Sequence, residues 1–271
     1  MNDTGSYVAE RMPGGLGHEM ARLRRQALLS WDRELRVLRR FGLADGMAIL
    51  DVGGGPGFVA EQLLAALPSS TVTVIDRDPT MVAQASALLA PGAGPRLRVV
   101  EASATDTGLP TGQFDFALAR LVFQHLPDPE AAAREIRRVL RPGGRLVIVD
   151  VDDALQLVDP PEDPIVKAMF DRLGEAQTAT GGTRFIGRRL PRILTTAGFV
   201  NVDIEAVVLH SDVVALDALD DDPGPAYWQS LVDEGRITER ERDATLASIE
   251  ESRVSKPTVV LTVLVTGGEK P

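Results

Sequence analysis

The chain has 271 residues, 44% hydrophobic and 25% charged, and 29 Lys and Arg against 39 Asp and Glu leave a net charge of −10. That is globular composition, enough for one large domain or a domain with an appendage, and its acidity argues against nucleic acid or an anionic membrane as a partner. There is no cysteine, so disulfides, thiolate zinc sites and a thiol nucleophile are excluded, and with His18, His125 and His210 as the only imidazoles no metal site is expected.

Residues 1–17 read as a flexible arm, and the N-terminus has no basic–apolar–small signal pattern. From 18 to 41, Met20, Leu23, Ala27, Trp31, Leu35 and Leu38 recur at spacings of three and four, which predicts one amphipathic helix. Its seven arginines lie mostly off the stripe and read as a solvated face. The stripe leaves two packings open, on the chain's own core or on a second copy in a homodimer. Short apolar strands at 48–52, 72–75, 97–100, 114–119 and 145–151 then alternate with helices at 59–67, 79–89 and 129–140. This alternation predicts a parallel sheet covered on both faces. Gly143 and Gly144 read as the turn into the fifth strand. Residues 152–164 read as a loop, 165–177 and 187–197 as helices, 200–209 and 258–266 as two more strands, and 238–252 as a helix following an acidic loop at Asp217–Asp222. No apolar run reaches the roughly 20 residues of a membrane helix, and a cytoplasmic protein is expected.

The stretch that carries chemistry is Ile49-Leu50-Asp51-Val52-Gly53-Gly54-Gly55-Pro56-Gly57. A buried strand runs into a glycine turn and then a helix, where a ligand can approach the backbone without meeting side chains. A dinucleotide site wants G-x-G-x-x-G, but its third glycine position holds Phe58; the spacing here is G-x-G-x-G, with Asp51 two residues ahead. Asp76 ends the second strand, 23 residues after Gly53, where a carboxylate can accept from both hydroxyls of an adenosine ribose.

With these marks, and with FDFALARLVFQHLPDPEAAAREIRRVLRPGGRLVIVD after them, residues 42–151 resemble the class I S-adenosylmethionine (SAM)-dependent methyltransferases of the small-molecule branch. The resemblance implies an α/β fold: a doubly wound, seven-stranded, mostly parallel Rossmann-like sheet with N- and C-terminal helical lids. It implies an arm and lid helix at 1–41, and a SAM-binding domain at 42–271 with a substrate-covering insertion at about 210–256. It also implies site roles. Asp51, Gly53, Gly54 and Gly55 would meet the methionine part of SAM, and Asp76 the ribose. Arg77 and Met81 would flank the adenine, with Ser103 and Ala104 at its edge; relatives often carry Asp at the Ser103 position. Arg120 and Leu121 would lie near the sulfonium, and Gln26 and His18 near the methionine end.

His125 is the candidate general base, and Tyr7, Gln124 and His210 are candidate substrate contacts. The aromatic residues Tyr7, Trp31, Tyr227 and Trp228 lie outside the predicted sheet and suggest an apolar acceptor pocket. The expected reaction is methyl transfer to a small-molecule acceptor, a secondary metabolite in a GC-rich bacterial setting, releasing S-adenosylhomocysteine (SAH). Two alternatives stay open: a SAM-binding relative catalysing a cyclisation, and a nicotinamide oxidoreductase, against which Phe58 and the lack of a Tyr-x-x-x-Lys pair count. The fourth strand also lacks the Asn/Asp-Pro-Pro-aromatic motif of adenine and glutamine N-methyltransferases, reading Ala119-Arg120-Leu121-Val122 instead.

Overall fold

The computed structural model describes residues 15–179, 181–214 and 225–271. Tyr7, most of the N-terminal arm and the acidic loop at 217–222 lie outside them. Five strands, β1 (Ala48–Val52), β2 (Thr71–Asp76), β3 (Leu97–Glu101), β4 (Phe114–Arg120) and β5 (Leu140–Val151), pair in parallel in the order β3-β2-β1-β4-β5. The long strand β8 (Thr258–Glu269) continues the sheet antiparallel to β5, and β7 (Val200–His210) pairs antiparallel on its far side. A three-residue strand, β6 (Leu157–Asp159), pairs with the start of β8 at Thr258–Val260. The sheet therefore has eight strands where seven are expected, because part of the predicted 152–164 loop satisfies its backbone on a β8 that runs beyond the end of β5.

Alternation along the strands explains the two-sided core. Ile49, Val72, Val74, Phe116, Leu118, Val147 and Val149 face one way, against α2 (Trp31–Arg40), α3 (Phe58–Ala66) and α4 (Pro79–Ala93). Leu50, Val52, Ile75, Ala117, Ala119, Leu146 and Ile148 face the other, against α5 (Pro129–Val139) and α7 (Leu190–Thr196). Helix starts follow the sequence: Asp78 and Asp128 accept from the backbone of Thr80 and Ala131, each with proline at the next position.

Three local expectations change. The single helix over 18–41 is two, α1 (Gly15–Leu29) and α2, broken at Ser30. At the break the Gln26 carbonyl, in the last turn of α1, accepts from Arg120 at 2.8 Å. Trp31 and Leu38 are buried against the chain's own core, so α2 docks at home. Gly143 and Gly144 sit inside the span of β5 as a register jump rather than ahead of it; a Cβ on Gly144 would lie 2.9 Å from the Arg141 carbonyl. Finally, α6 (Pro164–Ala179), α8 (Pro225–Asp233) and α9 (Glu239–Ser255) share a small core of their own around Met169, Trp228, Leu231 and Ile237. Tyr227 and Trp228 are spent there, edge to face at 4.9 Å, and not on a ligand pocket as expected.

Candidate functional site

The connections after β1 and β4 leave toward opposite ends of the sheet, and such a reversal opens a crevice beyond the strands' carboxyl ends. A cavity of about 390 Å³ lies there, within the range of small-molecule sites. The residues after β1, β2, β3 and β4 line it, with α1 and Arg184 closing it from outside the sheet.

The glycine turn forms its floor. Gly54 is pressed inward, where a Cβ would lie 2.6 Å from Val74 and 2.7 Å from Asp51 Oδ2. Gly55 has φ +53° and nothing within 4 Å of where its Cβ would be, so it presents bare backbone to open space. Asp76 braces the turn, its Oδ2 accepting from Gly55 N and its Oδ1 from Asp78 N, both at 2.9 Å. Burial pushes the Asp76 carboxyl above the usual range, against the pull of those two donors. Asp51 is fully enclosed, and burial, reinforced by the nearby Asp76 charge, lifts it to about 7 despite Arg120. Its Oδ2 has no hydrogen-bond partner among the described residues. Such a buried acceptor is costly unless a ligand donor meets it.

Arg120 lines the cavity, but its charge is committed. Its Nε and Nη2 bind Glu34 at 2.8 and 3.0 Å, with both side chains nearly buried, and Nη2 also holds the Gln26 carbonyl. Ser30 Oγ donates to the same Glu34 carboxylate. This cluster ties the α1–α2 break to the end of β4. Leu121 follows with φ +57°, an uncommon conformation for a residue with a side chain, held by its N–H on the Val149 carbonyl at 2.8 Å. Gln124 is clamped from two sides. Its N–H reaches Asp150 Oδ2 at 3.1 Å, and its carbonyl accepts from Thr183 N at 2.8 Å and Gln177 Nε2 at 3.2 Å. Asp150 lies fully buried and is lifted to about 7 by that burial, against backbone donors that include Val151 and Gln124.

His125 lines the cavity as a neutral imidazole. Burial, then the guanidiniums of Arg184, Arg77 and Arg22, push it down to about 4. It can accept a proton at neutral pH but is a weak base for a hydroxyl. Arg77, Met81, Ser103, Ala104 and Gln26 also line the cavity. Ser103 Oγ lies 2.9 Å from Thr105 Oγ1.

His210 is not among the residues lining the cavity. His210 ends β7, beyond β8 and β5 from the cavity, and its Nδ1 accepts from Asp212 N at 3.1 Å. His18 sits on α1 outside the cavity lining, with Nε2 buried and without a hydrogen-bond partner among the described residues. Sequence reasoning missed Arg22 and Arg184, which line the cavity. Arg22 could have been found, since it stands one turn from Gln26 on the same helix face. Arg184 lies between α6 and α7 and carries no local signal. The arginine face of the first helices is mostly exposed, as expected, with Arg24 and Arg40 exposed while pairing with Glu61 and Glu205, and Arg33 donating to the Val208 carbonyl.

Residues 50–148 match the methyltransferase domain family model. Over that stretch the chain is similar to SAM-dependent methyltransferase domains. The domain is 30% identical over 143 residues to the ubiquinone/menaquinone biosynthesis C-methyltransferase UbiE of Hahella chejuensis, covering 50% of this chain and 55% of that protein. The chain spans about half the length of the curated relatives it matches first. Among solved structures, the methyltransferase fold matches phosphoethanolamine N-methyltransferase 2 of Haemonchus contortus, described with phosphomonomethylethanolamine and SAH, at TM-score 0.58 and 18% identity over 89% of this chain and 53% of that one. It also matches the [4+2]-cyclase SpnF at TM-score 0.54 and 20% identity, over 100% of this chain and 87% of that one.

Proposed function

We propose that the chain transfers a methyl group from SAM to a small-molecule acceptor. The observation that carries this reading is the floor of the cavity. Bare backbone at Gly55, the Asp76 carboxylate and the partnerless Oδ2 of Asp51 meet within one turn, a donor-and-acceptor set that fits an adenosine bearing a charged amino-acid tail. Asp76 would hold the ribose hydroxyls, and Arg77 and Met81 the adenine faces, with Ser103 and Ala104 at its edge. Gly53, Gly54, Gly55 and Gln26 would hold the methionine end, with Asp51 offering its free oxygen. SAM supplies an electrophilic methyl on a sulfonium. The chain's part is to align the acceptor, exclude water and hold its own charges still.

Arg120 is kept from the acceptor by Glu34, and Leu121 and Gln124 stand at the reacting end. His125 is too weakly basic to ionise an ordinary alcohol, which favours an acceptor that needs no strong base: an activated carbon, an amine or an acidic hydroxyl. The carbon case agrees with the C-methyltransferase activity of the quinone-biosynthesis relative, and a secondary metabolite fits equally. A second reading, SAM-assisted cyclisation, draws support from the same weak base and from the fold shared with the cyclase.

The test is titration calorimetry with SAM, SAH and NADH on the wild type and on Asp76→Ala. SAM and SAH should bind and NADH should not. The substitution should cost about 1–3 kcal/mol of SAM affinity, the loss of a charge-assisted hydrogen bond. Equal affinity in the variant would sink the ribose assignment, and NADH binding would overturn the reading.

A further inference from the structure

Resting on that reading, we propose that Asp150 is the positioning residue of the cavity's acceptor end, its side chain setting the turn after β4 so that Gln124 and His125 face the cavity. Asp150 follows the apolar run Leu146-Val147-Ile148-Val149, on the side of β5 that Leu146 and Ile148 turn toward α5 and α7. Alternation asks for an aliphatic side chain there. Instead a carboxyl sits at 0% exposure, and burying one is costly unless its oxygens are met by donors. Its donors are main-chain N–H groups: Val151 N on Oδ1 at 2.9 Å and Gln124 N on Oδ2 at 3.1 Å, with Phe123 N–H adding to them. Arg120 acts on it through space only. A carboxyl held this way fixes the direction of turn N–H groups and makes no ion pair.

The turn needs such holding. It starts at Leu121 with φ +57°, a conformation that persists only where the surroundings over-determine it. Val122 packs on the cofactor's glycine turn, its Cγ2 2.6 Å from where a Cβ on Gly53 would lie, and Phe123 is fully buried. Val122, Gln124, His125 and Leu126 all line the cavity. The Gln124 residue is the pivot. On the β5 side its N–H meets Asp150; on the other its carbonyl accepts from Thr183 N at 2.8 Å, between α6 and α7, and from Gln177 Nε2 of α6 at 3.2 Å. One hydrogen bond on one side and two on the other set the path of the chain there, and with it the directions in which Gln124 and His125 leave it. Asp150 is not itself among the residues lining the cavity, so it acts on the acceptor end through the turn and leaves the cofactor's contacts alone.

The experiment compares the full-length wild type with Asp150→Asn at about pH 8, where the carboxyl is mostly ionised. Asparagine keeps the shape but offers one acceptor oxygen and sets an N–H against an N–H. SAH affinity, by calorimetry, should stay within about twofold. Amide hydrogen exchange at Gln124 and Thr183 should rise about tenfold or more, while β1 and β2 stay protected. The His125 ring is the reporter of the site, and with three histidines in the chain its NMR signal is readily assigned. Burial first holds that ring well below the ordinary imidazole range, and in the variant it should titrate nearer to that range as the turn relaxes. The wild type alone supplies a second test: the Gln124 amide, although in a turn beside a cavity, should exchange as slowly as those of β4. Four results overturn the proposal: a fast Gln124 amide in the wild type, an unchanged His125 titration in the folded variant, exchange that rises equally over β1 and β2, or a loss that falls on SAH affinity. The third would assign Asp150 to general stability, and the fourth to the cofactor. If the variant does not fold, the wild-type amide decides. SAH binding by the wild type, measured first, tests the methyltransferase reading separately. Should it fail, the exchange and imidazole measurements on the ligand-free chain still decide whether Asp150 sets the turn.

Discussion

Gly54 and Gly55 are neighbours with opposite reasons for lacking a side chain. A Cβ at Gly54 would collide with Val74 and Asp51, whereas one at Gly55 would project into open space. Gly54→Ala should therefore lower the melting temperature. Gly55→Ala should leave the core packing intact, apart from the strain of a positive φ, and lower SAM affinity by about tenfold or more by filling the ligand's approach. Thermal melts and calorimetry on both variants separate the two effects. Asp76 combines both roles, because its two oxygens already hold the turn through Gly55 and Asp78. Spacing alone identified Asp76 and the glycines. His125 was legible as a residue of the site but its basicity was not, because it is depressed first by burial and then by guanidiniums from three separate places in the chain.

At the scale of elements, the junction of α1 and α2 with β4 decides how the cavity is walled. Arg120 and Glu34 lie 86 residues apart and form a nearly dry ion pair. Removing one partner leaves a buried charge, so Glu34→Gln should destabilise the chain by about 3–5 kcal/mol. Pairing it with Arg120→Met should recover much of that loss, because the stranded charge goes with it. Urea denaturation of the two single variants and the double variant closes the cycle; strict additivity would mean that the pair is not coupled. The sequence showed an apolar stripe running through both helices but not the break, where an arginine from β4 takes the Gln26 carbonyl.

Over the whole molecule, the carboxylates divide into two sets with opposite pH dependence. Asp51 and Asp150 are raised to about 7, chiefly by burial. The native chain then keeps protons that the unfolded chain has released above about pH 4, so their contribution is full below that pH and is lost as pH rises through 7. Glu135 and Glu241 run the other way. Burial pushes Glu135 up, but hydrogen bonds from Arg138 and Thr107 outweigh it, and Arg172 with Thr238 lowers Glu241; both are brought to about 2. Their contribution is present above the ordinary glutamate range and is lost as pH falls toward 2. The ligand-free chain should therefore resist urea better near pH 5.5 than near pH 7.5 and weaken again in stronger acid. Asp51→Asn should shrink the difference between the first two conditions. A midpoint that rises steadily from pH 5.5 to 7.5 would contradict the burial of both aspartates.

By itself the sequence determined the alternation of strands and helices, the two-sided core, the glycine turn and the carboxylate that braces it. These rest on short-range rules: side-chain period, cap residues and turn chemistry, all written within a dozen residues. Only the tertiary structure decided the rest. It extended β8 to take up β6 and placed β7 beyond β8, with His210 outside the cavity lining. It gathered Trp228 and Tyr227 into a separate helical core and brought Arg22 and Arg184 to one cavity around His125. Each of these joins residues distant in the chain, where desolvation and charge are set by neighbours that no local pattern names.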